Sequence, residues 1–133
     1  MEVTLLLCDA AENVGGKLYI LGGGWSQVTA DAPFNMALAV LVAVPWDRTN
    51  HGIQVAAKLM TEDGEPVVIG EDPVGATGTF EIGRPPGTKP GTQFNAPLVL
   101  RFNGVALAAG GYRWEFDVDG TQMATAPFRA IQG

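Results

Sequence analysis

Charge, cysteine and histidine are all scarce in this chain of 133 residues, and no amphipathic helix can be traced in it. Charged residues make up 17%, below the quarter or so usual for a globular domain. Either the surface is rich in Thr, Asn, Gln and Gly, or something covers part of it. The 8 basic residues against 14 acidic ones leave a net charge of −6. That balance repels a phosphate backbone, so no nucleic-acid partner is expected. The single cysteine, Cys8, excludes an internal disulfide. With one His and one Cys, a zinc site would have to lean on carboxylates, which structural zinc seldom does, so no metal or other cofactor is expected.

Cys8 and His51 are also the one available nucleophile and base. Cys8 has neither a helix start nor a basic neighbour to lower its pKa, and an inert buried thiol is the simpler reading. A hydrolase therefore ranks last, no catalytic residue is assigned, and the chain is read as non-enzymatic. The longest apolar run, Met36 to Val44, falls well short of the roughly 20 residues that span a bilayer. Leucines before Cys8 suggest a lipoprotein signal, but the leader is acidic at Glu2 and bulky at Leu7, where a small residue belongs. These features place the protein in the cytoplasm, or in a virion if it is phage-encoded, with no membrane partner.

What is present is alternation. In Tyr112-Arg113-Trp114-Glu115-Phe116-Asp117-Val118 the large apolar residues share one face and the charged ones the other, as in a half-buried strand. The same period recurs at Phe34 to Val44, Ile53 to Met60, Ala76 to Ile82 and Phe94 to Asn103, with shorter strands near Glu2 to Ala11, Lys17 to Leu21, Trp25 to Thr29, Pro66 to Ile69 and Thr121 to Ala130. Asn13 to Gly16, Glu62 to Glu65 and Asp119-Gly120 read as turns. A Leu shortly before Gly111-Tyr112 suggests a tyrosine corner, in which the phenol bonds back to the upstream backbone. The pattern predicts one domain over residues 1–133: an all-β, antiparallel, immunoglobulin-like sandwich of about nine short strands without substantial helix.

Three groups of residues could carry function. Around Met36 to Val44 both faces avoid charge, so the strand is either buried on both sides or docks onto another chain through Ala37, Ala39, Leu41 and Ala43. Trp46 and Asp47 sit in a polar loop, and Arg84 and Lys89 in a proline-rich one, Gly83 to Gly91, that no regular element survives. The acidic pairs Glu62-Asp63, Glu71-Asp72 and Asp117 with Asp119 lack the ladder of an EF-hand loop and read as turn residues. The glycines Gly22 to Gly24 precede more strand instead of opening a helix, which favours a bend over a phosphate cradle.

Asp9-Ala10, Gly16-Lys17-Leu18 with Gly22 to Trp25, Pro45-Trp46-Asp47, Glu62-Asp63-Gly64 with Pro66, Gly83-Arg84-Pro85-Pro86-Gly87 with Gly91, and Gly111 to Trp114 resemble a family of short uncharacterised all-β proteins of actinobacteria and their phages. The resemblance runs through most of the chain and implies no activity, so it carries over no catalytic residue. The reading that follows is a non-catalytic interaction module, self-associating or docking onto a protein, in one form as a structural or decoration component of a larger particle. The alternative is a small-ligand or carbohydrate binder using Trp46, Asp47 and the Arg84 to Lys89 loop.

Overall fold

The structure, a computed structural model, describes residues 1–133 and is built from strands. In chain order these are β1 (Glu2–Val14), β2 (Lys17–Gly23), β3 (Gln27–Thr29), β4 (Phe34–Val44), β5 (Ile53–Thr61), β6 (Val68–Ile69), β7 (Asp72–Pro73), β8 (Gly75–Phe80), β9 (Phe94–Val105), β10 (Gly110–Val118) and β11 (Thr121–Ile131). One turn of 3-10 helix, Trp46–Arg48, follows β4. The count is eleven instead of about nine, partly because β6 and β7 are two-residue ladders beside the Glu62 to Glu65 turn.

Two sheets form the layers: β2-β1-β4-β9 and β3-β11-β10-β5-β8. All their pairings are antiparallel except β3 with β11. Met36 to Val44 is a strand, as its two-residue period and valines require, and its even positions face the core. Trp114 and Phe116 meet them from β10, both fully buried, with the Trp114 ring centroid 4.5 Å from that of Phe102. Each such side chain withdrawn from water contributes about 2–3 kcal/mol, so this seam drives the sheets together.

Turn chemistry sets the registers. Asp119 and Gly120, at φ 49° and 82°, make the two-residue turn between β10 and β11. Gly15 and Gly16, at φ 60° and 76°, do the same between β1 and β2. The tyrosine corner is present: the Tyr112 hydroxyl donates to the Ala108 carbonyl at 2.7 Å. No helix is long and apolar enough to cross a membrane.

Candidate functional site

β1 belongs to two ladders. Glu2 to Cys8 pair with Ala43 to Ala37 of β4, and Ala10 to Val14 pair with Leu21 to Lys17 of β2. Between Cys8 and Ala11 the strand changes the side it presents, because both residues fall in one buried cluster with Ala37 and Ala39, although their positions differ in parity. The hairpin tip is thereby carried back across β4. The Asn13 amide donates to the Pro97 carbonyl of β9 at 3.1 Å, and the Arg101 guanidinium of β9 donates to the Ala11 carbonyl at 3.0 Å. Leu18 and Val99 close the cluster from either side.

The docking face expected at Ala37, Ala39, Leu41 and Ala43 must be corrected accordingly. Ala37 and Ala39 are 1% and 2% exposed, roofed by the chain's own hairpin, and only the half-buried Leu41 and Ala43 lie beyond it. Of the two explanations for the charge-free strand, burial on both sides holds at Ala37 and Ala39. Small side chains are needed there so that a second layer can lie directly on β4.

Covering those alanines turns another apolar surface outward. Ala10, Glu12 and Val14 of β1 stand opposite Leu21, Tyr19 and Lys17 of β2 on the solvent side. Val14, Tyr19 and Leu21 are 54%, 57% and 72% exposed, the highest values among the large apolar residues. Ala10, Glu12, Tyr19 and Leu21 border a shallow depression of about 390 Å³. β2 is also a sheet edge, and no charged residue occurs from Leu18 to Ala30. Sequence reasoning missed this surface. The signal available was that charge-free run beside a glycine hairpin.

At the other end of the sandwich Trp46 and Arg84 do come together, but as a latch. The Arg84 guanidinium lies 3.9 Å from the Trp46 ring centroid, its Nη2 donates to the Trp46 carbonyl at 2.8 Å, and its Nε donates to the Thr49 hydroxyl. Thr49 is fully buried and its hydroxyl lies 2.6 Å from the same Trp46 carbonyl, so Arg84 closes the 3-10 turn. One face of the indole is thus occupied by the guanidinium and not open to a sugar ring.

Asp47 and Lys89 are exposed and take no part in the latch. Lys89 instead opens the second of two tandem turns, Pro85-Pro86-Gly87-Thr88 and Lys89-Pro90-Gly91-Thr92. In each, the Thr main-chain N–H and hydroxyl both donate to the carbonyl three residues back. Gly87 and Gly91 at φ 80° and 88° mark both as type II. The loop is therefore two ordered turns, a repeat that proline content alone does not reveal.

Asp119, in the β10–β11 turn, accepts from the Gln54 main-chain N–H at 3.0 Å and from Arg48 at 2.6 Å, and both hold its carboxyl below the usual range, the first more strongly. Cys8 is buried and its thiol donates to the Ala37 carbonyl at 3.3 Å. Burial chiefly, and then the Asp9 charge, push that thiol's pKa up, against a smaller lowering by the Ala39 main-chain N–H. A thiol so placed is a poor nucleophile. His51 sits on the exposed loop after the 3-10 turn. No three His, Cys, Asp or Glu side chains converge to hold a metal ion.

The model of a family of unknown function, DUF6941, matches residues 3–131, and the chain belongs to that family. No curated protein and no solved structure matches the chain.

Proposed function

We propose that this family member is a non-catalytic interaction module that binds protein through the outward face and free edge of its first hairpin. One observation carries the reading: Tyr19 and Leu21 of the edge strand β2, with Val14 of β1 beside them, stand in solvent, and the only charge on β2 is Lys17 at its turn, in a protein of net charge −6. Edge strands in monomers are normally guarded by Lys, Pro or bulges, because an open row of N–H and C=O groups recruits another strand. Here Lys17 alone guards β2, and it lies at the turn.

The immunoglobulin-like assignment belongs to the same proposal. In its support, β1, β4 and β9 run in the order of the A, B and E strands, and β11-β10-β5-β8 in the order G, F, C, C′. The corner at Tyr112 fits the F strand. Against it, the buried Trp114 stands on the F-equivalent strand instead of C, and no disulfide joins the layers. A structural or decoration role in an actinobacterial or phage particle is one form of the proposal, and capsid or tail genes beside the coding sequence would favour it.

The direct test is the double variant Tyr19→Lys, Leu21→Lys. Both positions are exposed, so its thermal unfolding should match wild type. Association, with itself by light scattering or with a host protein in a capture assay, should be lost. Association left intact by the two lysines would remove the hairpin from any binding role.

A further inference from the structure

We infer that the occupant of this edge is a second copy of the chain, joined β2 to β2 in an antiparallel two-fold contact that makes one continuous sheet of two β2-β1-β4-β9 sheets. The inference rests on the hairpin being the docking surface. It begins with the two-residue turn at Gly15-Gly16, which makes Val14 and Lys17 a hydrogen-bonded pair. Bonded and non-bonded pairs alternate, so Glu12 with Tyr19 and Ala10 with Leu21 are bonded too. Lys17, Tyr19 and Leu21 thus turn their main-chain groups toward β1, and Leu18 and Ile20 turn theirs toward the open edge. Gly22, at φ 58°, leaves the extended line and ends that edge.

Free groups at two residues flanking Tyr19 are their own antiparallel complement. A two-fold axis at Tyr19 pairs Leu18 with Ile20 of the other copy and Ile20 with its Leu18, each pair exchanging both main-chain bonds. The two Tyr19 residues then form a non-bonded pair, the closest side-chain approach in an antiparallel ladder, with Cα atoms about 4.5 Å apart. On either side Leu21 meets the aliphatic stem of the opposite Lys17. Charge beside this edge is low although the molecule is acidic overall: Glu12 and Lys17 cancel, the exposed Asp9, whose carboxylate lies against Gly22, adds one negative charge at the far end, and Leu18 to Ala30 carries none. Tyr19, Ile20 and Leu21 are the exposed side chains this ladder brings together, at 57%, 40% and 72%, so the contact is small, below the roughly 1,000 Å² of a standard interface and in the weak, reversible class.

The other edges suit a partner less. β9 carries Pro97 and Arg101, β3 is three residues long, and β8 is a short strand with two glycines, Gly75 and Gly78.

The full chain should sediment as a monomer–dimer equilibrium with a dissociation constant on the order of micromolar when scanned from about 1 to about 200 μM. Ile20→Pro removes an N–H that faces the open edge and should abolish the dimer, with a melting temperature equal to wild type at the dilute end of the scan, where both are monomers. Tyr19→Cys should give a disulfide-linked dimer on mild oxidation, because its two sulfurs face each other across the axis, and Leu21→Cys should not. If Ile20→Pro misfolds, the cysteine pair decides alone.

A strict monomer at the highest concentration, or a dimer that Tyr19→Cys does not cross-link, overturns the inference. Should that monomer still capture another protein in a manner abolished by Tyr19→Lys, Leu21→Lys, the docking surface stands and only the second copy is excluded. If neither association is found, both readings fall.

Discussion

The side-chain amide of Asn13 lies 3.1 Å from the carbonyl oxygen of Pro97, so the first strand reaches across β4 to a strand that is not its neighbour in the sheet. With the Arg101 bond to Ala11, it fastens the hairpin over the alanine face of β4. That single return explains three features together: the charge-free outer side of β4, the buried cysteine, and the apolar side chains left in solvent on the hairpin's far side.

Loosening the fastening should expose the thiol beneath it. Asn13→Ala combined with Arg101→Met removes both bonds and should cost about 1–2 kcal/mol in denaturant unfolding. In wild type Cys8 should react slowly with a thiol reagent near neutral pH, since its pKa is raised from 9.0 by burial and by Asp9. The double variant should react several-fold faster at the same pH. Equal rates would mean that the hairpin does not control access to Cys8.

Charge placed on β4 should report stability rather than association. Ala39→Lys forces a long cation under the hairpin, where no partner waits, and should cost about 3 kcal/mol or more by urea midpoint. Ala43→Lys, beyond the roof and only half-buried, should cost less than about 1 kcal/mol. A reversed order would place the covering element elsewhere on the strand.

The layers were legible in the sequence wherever a strand runs straight. The period of Tyr112 to Val118 put Trp114 and Phe116 in the core, and Asp119-Gly120 was readable as a turn because those residues tolerate positive φ. Tyr112 and its upstream acceptor were readable for the same local reason. The hairpin was not, because face assignment by parity fails where β1 changes sides between Cys8 and Ala11, and no residue type there announces the change. Period also assigned Glu115 to the solvent face. It is 7% exposed, paired with Arg113 at 2.8 Å, since a neighbouring guanidinium can cover a carboxylate that alternation places outside. Trp46 and Arg84 were legible as companions, but what they do for the turn depends on the buried hydroxyl of Thr49.

Asp119 should give stability a measurable dependence on acid. Its folded-state pKa is depressed, so its contribution is fully present above the unfolded value of about 3.9 and is lost as pH falls through the lower folded value. Asp119→Asn keeps the positive-φ turn and an acceptor for the Gln54 N–H, and removes only the charge facing Arg48. Wild type should melt above the variant at pH 7, with the gap closing below about pH 4. A gap independent of pH would assign the effect to the turn and not to the ionised carboxylate.

Arg84→Lys should separate a latch from a simple positive charge. Lysine keeps the charge but lacks the plane that lies on Trp46 and the fork that reaches Thr49 Oγ1 and the Trp46 carbonyl together. The loss should be about 1–2 kcal/mol, one hydrogen bond and an exposed cation–π contact. Because both partners act on one turn, Arg84→Lys and Trp46→Leu should be non-additive by about 1 kcal/mol in a double-mutant cycle. Additive losses would show that the guanidinium and the indole stabilise the end of the sandwich independently.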